Sequence, residues 1–438
     1  MMQAWFYSLA EQISAGIRAG EHFTCWLSAE SSDFVRFNHG LIRQSGHVQQ
    51  RYLTLKLIIG QRQAQGELSL SGLRGEDMAL IAQLLDALRA QIFDLPEDPH
   101  LLLATAPQSS ERIVASSLPA TREIVDEVLS VAAGYDFVGI LASGPVYRGF
   151  ANSWGQRNWH EVASFNLDWS LYHAADKAVK SSYAGFAWDA AAFRDKFAEA
   201  ARQLALLQRP AVSIAAGPSR VFLTPTALAE IIGMLSWGGV SEKSLRTKQS
   251  SLRRMRDEGL QLNSAVSISE HTAGGLAPSF QAEGFIKAAR VELITQGQLT
   301  GSLISPRTAR EYGLATNGDE TLASIEMAAG SLPQADALRA LDTGVWISNL
   351  WYLNYSDRAS CRMTGMTRFA SFRVEHGEIV APLNVMRFDE SLYRMLGDNL
   401  LALTQERELL IDGMSYGQRS TDSSLLPGAL VEDFRFVL

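Results

Sequence analysis

Cysteine is scarce in this chain of 438 residues, which contains only Cys25 and Cys361. The two residues lie far apart and belong to no C-x-x-C pair, so the sequence predicts no disulfide framework. Long apolar runs are also missing, and no stretch approaches the roughly 18 apolar residues that a membrane helix requires. The first 20 residues lack the basic start and continuous apolar core of a signal peptide. We therefore expect a cytoplasmic protein that contacts no membrane.

Basic residues are fewer than acidic ones: the chain has 39 lysines and arginines and 47 aspartates and glutamates, which gives a formal net charge of −8. A nucleic-acid-binding protein normally carries a concentrated positive surface, so we expect no nucleic-acid partner. One basic segment, KSLRTKQSSLRRMR at 243–256, is predicted to lie in a helix over 241–257. We interpret it as a solvated helix face, with a contact to an acidic partner or peptide as the alternative.

Familiar catalytic signatures are absent as well. The sequence has no G-x-S-x-G elbow, no P-loop and no dinucleotide-binding fingerprint. None of its eight histidines lies three or four residues from another, so helical metal-ligand spacing is missing. The pair Glu270-His271, and His160 with His173 across two strands, are the remaining combinations that could hold a metal. We interpret each of them first as ordinary hydrogen-bonding side chains.

The composition, 47% apolar and 20% charged, is typical of a compact globular protein. A predicted helix over 189–207 runs up to Gln208-Arg209-Pro210, where a proline ends it. This predicts two domains, 1–209 and 210–438. Strands grouped between helices, without regular βαβ alternation, favour an α+β fold with mixed or antiparallel sheets and packed helices.

Several individual elements follow from local patterns. Turn residues at Gln296-Gly297-Gln298 and at His376-Gly377 predict two hairpins, over 285–304 and 368–382. Residues 211–215 are predicted as a strand, and 389–403 as a helix with Asp389 as its cap. Further helices are predicted over 74–93 and 121–133.

The segment 224–237, TPTALAEIIGMLSW, is the most informative part of the chain. Thr224 is a suitable helix cap and Pro225 suits the first turn. By position the segment resembles the H-E-x-x-x-H zinc-binding helix of the TldD/PmbA family, known as modulators of DNA gyrase and as metallopeptidases. Ala229 then takes the place of the first histidine, Glu230 that of the glutamate and Met234 that of the second histidine.

Further stretches carry the same resemblance. They are GGLAPSFQAEGF (274–285), LTGSLISPRTAREYGLATNGD (299–319) and GVWISNL (344–350). In DGMSYGQRSTD (412–422), Ser415 takes the position where the family's metal-binding members have a ligand cysteine. Neither a methyl group nor a thioether supplies a zinc donor. The chain is therefore most similar to the TldE/PmbA-type subunit that lacks these ligands.

The resemblance implies a subunit of a metalloprotease assembly that degrades or trims unfolded peptides. It implies no metal cofactor in this chain, zinc in a presumed partner, and a heterodimer with an H-E-x-x-x-H paralogue or a homodimer. Glu230, at the general-base position, is not expected to be catalytic alone. The alternative is a homodimeric peptide-binding or scaffold protein, and a hydrolase with an unrecognised metal site is the third reading.

Two further segments are candidates for contact with a peptide or partner. The glycines and proline of the loop 272–280 allow close backbone approach, either to a strand of the same chain or to an extended peptide. The candidate cleft residues around it are Gly274, Gly275, Ser279, Phe280 and Glu283. Residues 154–188 are rich in aromatics, which we interpret as core, with a partner interface or an apolar peptide cleft as the alternative.

Overall fold

The computed structural model describes residues 2–174 and 177–437, and it confirms the predicted α+β class. Ten α-helices occur in these residues. They are α1 (Met2–Gly16), α2 (Arg74–Gln91), α3 (Thr121–Val131), α4 (Ala190–Leu207), α5 (Pro225–Gly233), α6 (Glu242–Arg246), α7 (Arg253–Asp257), α8 (Pro306–Tyr312), α9 (Ala337–Leu341) and α10 (Leu392–Met395). None of these helices is long and apolar enough to cross a membrane.

A first sheet of seven strands occupies the N-terminal half of the described chain. Its strands are β1 (Glu21–Asn38), β2 (Leu41–Ile59), β3 (Arg62–Ser69), β4 (Ser110–Val114), β5 (Asp136–Asn152), β6 (Arg157–Ala174) and β7 (Lys177–Gly185). The order is β3-β2-β1-β5-β6-β4, and β7 also pairs with β6. Only β4 pairs in parallel, so this sheet is mainly antiparallel.

The first sheet has one apolar face and one polar face, because side chains alternate along a strand. On β6, Leu167 and Trp169 are fully buried among apolar residues, together with Phe193 of α4. Helices α1 and α2 cover the same face of the sheet at its other end. The intervening positions, including Asn166 and Asp168, point to the opposite face. There Trp26 of β1 contacts Phe280, so the polar face is turned towards the C-terminal half.

A second, mixed sheet of thirteen strands follows in the described residues. Its strands are β8 (Gly217–Leu223), β9 (Ile268–Glu270), β10 (Val291–Thr295), β11 (Gln298–Leu299), β12 (Ser324–Met327), β13 (Gly344–Ile347), β14 (Asn349–Asp357), β15 (Arg362–Arg368), β16 (Phe372–Glu375), β17 (Glu378–Pro382), β18 (Arg387–Ser391), β19 (Leu400–Ile411) and β20 (Ser423–Val437). The long strand β20 pairs with β8, β12, β18 and β19. A large apolar core packs around α5 on this sheet.

Local patterns predicted much of this structure. The helices over 74–93, 121–133 and 189–207 are confirmed within two residues at each end, and both hairpins turn at Gln296-Gly297 and His376-Gly377. The predicted strand over 211–215 is wrong, since only Val212 forms an isolated bridge there. The predicted basic helix over 241–257 is two short helices, α6 and α7, separated by a turn in which Lys248 has a positive φ of 61°.

The predicted helix over 389–403 is also wrong. Asp389 lies in β18, and Ser391 caps the four-residue helix α10. The chain then turns at Gly397, where a side chain would overlap the carbonyl oxygen of Tyr393. From Leu400 the chain pairs with β20. Tertiary strand pairing therefore overrides the helical pattern of this segment.

Candidate functional site

A cavity of about 770 Å³ lies between the polar face of the first sheet and the C-terminal half. Ala229, Met234 and Ser415 all line it, although the last lies far from the others in sequence. The structure thus brings together the three positions that the family resemblance aligned with metal ligands. We call this space the cleft.

Helix α5 forms one wall of the cleft. The hydroxyl of Thr224 accepts from the amide of Ala227 at 3.2 Å, so the predicted cap is present. The α-helix ends at Gly233, and Met234 begins a 3₁₀ turn over Met234–Ser236. Leu228, Ile231 and Ile232 point into the apolar core, which fixes the opposite side of the helix towards the cleft.

Glu230 lies on the cleft side of α5 and is accessible to solvent. The surrounding walls nevertheless displace much of its water, and this desolvation raises the pKa of Glu230 above its ordinary value, while Lys180 acts in the opposite direction. A carboxylate on this wall can attract a cation or accept a hydrogen bond.

The side chains of Ala229, Met234 and Ser415 do not fit a zinc ion. They offer a methyl group, a thioether and a hydroxyl, whereas zinc sites use imidazole, thiolate or carboxylate donors. Within 2–174 and 177–437, no three His, Cys, Asp or Glu residues are grouped so that they could hold a metal. Ala229, Met234 and Ser415 therefore supply no zinc donor of these kinds.

The other pairs considered as metal ligands are engaged elsewhere or lie apart. Glu270 accepts from the amides of Ala323 and Ser324, and His271 pairs with Glu326. The expectation that His160 and His173 meet across two strands is wrong, because both lie on β6 near its opposite ends. His160 is buried with Nε2 2.9 Å from the carbonyl oxygen of Leu276.

Strands β6 and β7 form the floor of the cleft, which the sequence analysis did not identify. Asn166 and Asp168 of β6 and Lys180 of β7 line it, and Lys180 Nζ lies 3.2 Å from Asp168 Oδ2. The signal in the sequence was the alternation of polar residues with Phe165, Leu167 and Trp169. That alternation marks a strand with a polar second face.

The segment 412–422 closes the cleft opposite α5. It supplies Asp412 and Asp422 in addition to Ser415. Burial, followed by the charge of Asp412, raises the pKa of Asp422 to about 6. The side chain of Arg419 holds the segment on the first sheet by hydrogen bonds to Gly144 and Ser164. Met414 and Tyr416 remain exposed at the rim.

The glycine-rich loop lies outside the cleft and packs within the same chain. Arg112 donates to the carbonyl oxygens of Thr272, Ala273, Gly275 and Ala277. The residues predicted to line a peptide cleft also have neighbours within the chain. Gly274 lies beside His271 and Gly275 beside Ser324, and the carbonyl oxygen of Ser279 accepts from the Lys287 amide. Phe280 packs on Trp26, and Glu283 lies 3.7 Å from Lys56. The structure does not bring these residues to Ala229, Met234 and Ser415.

The aromatic and basic segments also make contacts within the chain. Trp159 and Trp169 are buried in the cores of the first sheet. In the basic segment, Arg246 and Arg256 both pair with Glu242.

Comparison with known proteins identifies the family of this chain. Residues 216–437, half of the chain, match the family model described as the PmbA/TldA metallopeptidase C-terminal domain. The chain belongs to the TldD/PmbA family. A search of curated proteins finds no match.

Three solved structures share the fold of this chain. TldE from Thermococcus kodakarensis is 12% identical, with a TM-score of 0.79 over 99% of this chain and 100% of that one. A protein from Thermotoga maritima, described as a candidate modulator of a DNA gyrase, is 14% identical with a TM-score of 0.75 over both full chains. A similarly described protein from Bacteroides thetaiotaomicron is 14% identical, with a TM-score of 0.73 over 99% of this chain and 97% of its own. At these identities the likeness concerns the fold.

Proposed function

We propose that this TldD/PmbA-family chain is the metal-free subunit of a cytoplasmic metalloprotease assembly that degrades or trims unfolded peptides. The observation that carries the proposal is the convergence of Ala229, Met234 and Ser415 on one cleft, without a metal donor among them. In this proposal the cleft is the counterpart of a metal centre and has kept its shape. The partner supplies the zinc and the hydrolytic step, and this chain contributes peptide-binding surface.

The shape of the cleft supports a binding role. A volume of about 770 Å³ is within the range of small-molecule and peptide-side-chain sites. The cleft lies between the two halves of the chain, where ligand sites commonly occur. Exposed Trp237, Met414 and Tyr416 at its rim offer apolar contact to an unfolded peptide or a partner subunit.

The first experiment is metal analysis of the untagged chain, purified without chelator. We expect less than about a tenth of an equivalent of zinc per chain. A structural or catalytic zinc site would keep its metal through purification, since such sites bind zinc tightly at neutral pH. Near one equivalent would favour the hydrolase reading instead. Glu270, His271, His160 and His173 would then be the first residues to replace.

The second experiment mixes the chain with an H-E-x-x-x-H paralogue from the same genome. We expect one heterodimer by gel filtration and light scattering, and cleavage of a fluorogenic unfolded peptide only when both chains are present. The paralogue alone and this chain alone are the controls. A stable homodimer that ignores the paralogue would favour the scaffold function.

A further inference from the structure

The cleft and a second space beside it carry opposite charges, and we call them the acidic end and the basic end. Arg36, Ile140 and Asp168 are cross-strand neighbours on β1, β5 and β6. Directly opposed residues project to the same face of a sheet. Arg36 and Asp168 are two strands apart, so about 10 Å separates them across the sheet. Arg43 of β2 joins Arg36 in lining a second space of about 280 Å³ that shares Asp168 and Lys180 with the cleft.

The acidic end holds more carboxylates than cations. Four carboxylates line the cleft, those of Asp168, Glu230, Asp412 and Asp422. Among the described residues that line it, Lys180 is the only lysine or arginine. Lys180 pairs with Asp168 at 3.2 Å, so it leaves the other carboxylates without a partner of opposite charge on the cleft wall. Burial is the main cause that raises the pKa of Glu230 and of Asp422, so both carboxylates are poorly hydrated.

Asn166 provides an independent sign that a donor is missing at this end. Its side chain is nine-tenths buried, with 8% of the residue exposed, on the same face of β6 as Asp168. Nδ2 donates to the carbonyl oxygen of Ile411 at 3.4 Å. Oδ1 has no hydrogen-bond partner among the described residues. A buried acceptor without a donor is unfavourable, and a bound ammonium group would supply one.

The basic end is open. Arg36 and Arg43 are exposed, and neither forms an ion pair with any residue of the described ranges 2–174 and 177–437. Arginine recognises carboxylates with two parallel hydrogen bonds. The two ends therefore have complementary preferences.

We propose that the cleft binds a peptide through a primary ammonium group at Asn166, Asp168 and Asp422, with acidic residues of that peptide on Arg36 and Arg43. The inference rests on the proposed function, because it names the class of peptide that the same cleft takes. An extended chain advances about 3.3 Å per residue, so the acidic residue stands three or four positions from the ammonium group. The α-amino group and a lysine side chain supply the same chemistry.

Four synthetic octapeptides test the ammonium group by isothermal titration with the full chain. The first has a free amino terminus and no lysine, the second is its N-acetylated form, the third is acetylated with one lysine, and the fourth has its acidic residue replaced by glutamine. We expect acetylation to weaken binding by about tenfold, as for loss of a charge-assisted hydrogen bond. Recovery by the lysine peptide assigns the site to any ammonium group, and no recovery assigns it to the amino terminus. Equal binding of the free and acetylated peptides without lysine would overturn the proposal.

Variants that remove charges of opposite sign distinguish a loss of peptide recognition from a general structural defect. Asp422→Asn is expected to weaken the free-amine peptide about tenfold and to leave the acetylated peptide unchanged. Lys180→Gln is expected to strengthen the free-amine peptide, because it removes the cation that competes for Asp168. A structural defect would weaken both peptides in both variants. Asp126→Asn on the exposed surface of α3 makes the same charge change as Asp422→Asn and serves as the control.

The basic end has its own pair of measurements. Arg36→Gln with Arg43→Gln is expected to remove the preference for the acidic peptide over its glutamine form, without affecting the free-amine preference. The same preference in the variant and the parent chain would overturn this part. The outcome is independent of metal content and of co-elution with the paralogue. Peptide binding that does not depend on charge, together with formation of the heterodimer, would contradict this inference and not the proposed function. Binding that depends on the ammonium group, without a heterodimer, would contradict the proposed function and not this inference.

Discussion

Arg419 and Ser164 join the segment 412–422 to the first sheet: Nη2 of Arg419 donates to the hydroxyl and the carbonyl oxygen of Ser164 at 2.8 and 3.0 Å. Nη1 donates to the carbonyl oxygen of Gly144 at 2.9 Å. The guanidinium is buried, which lowers the pKa of Arg419 to about 10, still well above neutral pH. Arg419 therefore helps to hold in place the wall that carries Ser415, together with Gln418, whose Oε1 accepts from Ser28 Oγ at 2.6 Å.

Replacing Arg419 by alanine should loosen this wall. Arg419→Ala leaves the carbonyl oxygens of Gly144 and Ser164 without their donor, and we expect the free energy of unfolding to fall by about 2 kcal/mol. Hydrogen exchange of 412–422 should rise more than that of β6. Arg209→Ala is the matched control, because exposed Arg209 also donates to a carbonyl oxygen, that of Ile379, and should cost about 0.5 kcal/mol or less. Equal effects in urea unfolding would contradict the anchoring role.

Asp422 makes stability depend on pH. Its pKa is raised to about 6 in the folded chain, above the ordinary value near 4, so the folded state keeps a proton that the unfolded chain loses. Stability contributed by this proton is present below about pH 4, falls as the pH rises to about 6, and is constant above that.

Asp422→Asn removes this dependence. At pH 7 we expect the variant to be more stable than the parent chain by about 1 kcal/mol, a modest figure because solvent reaches Asp422 and screens it. At pH 4 the two chains should unfold at the same urea concentration. A constant difference across the range would assign the effect to packing instead.

Gly233 offers a way to fill the cleft without disturbing its walls. A Cβ at this position meets no heavy atom within 4 Å, and its φ of −56° suits any residue. We expect Gly233→Ala to stabilise the chain by about 0.5 kcal/mol and Gly233→Phe to occupy the cleft and abolish peptide binding. Gly75→Phe, which also enters open space near the start of α2, should leave binding unchanged. Peptide binding that survives Gly233→Phe would place the site elsewhere.

The sequence predicted helix α5 but not the floor of the cleft. Thr224 and Pro225 are local signals, so the start of α5 could be located from them. The cleft floor depends on strand pairing between β5, β6 and β7, which brings Asp168 beside Lys180 only in the folded chain. Strand pairing also explains the error at 389–403, where partners on β15 and β20 decide the structure.

Glu230 is expected to affect binding rather than the chemical step. In an assembly with an active paralogue, Glu230→Gln should leave kcat within about twofold, because no group on this wall holds a metal-bound water. KM should rise by about threefold or less, since one of several carboxylates facing the peptide is neutralised. The matched comparison is substitution of the partner's own glutamate in its H-E-x-x-x-H helix. A loss of kcat of about a hundredfold from Glu230→Gln would make this residue catalytic and reject the metal-free role.

Restoring the three ligands tests whether the cleft has kept the shape of a metal centre. In Ala229→His with Met234→His and Ser415→Cys, imidazole and thiolate donors replace the three side chains on the cleft wall. We expect zinc to rise to about one equivalent per chain, against about a tenth or less in the parent. Buried Met234 packs in the apolar core, so its replacement should destabilise the metal-free variant by about 1–3 kcal/mol, and zinc should reverse the loss. Cobalt substitution gives a visible spectrum for thiolate coordination, and the variant that keeps Ser415 is the control. A triple variant that takes up no metal would show that these positions share a cavity without converging on one point.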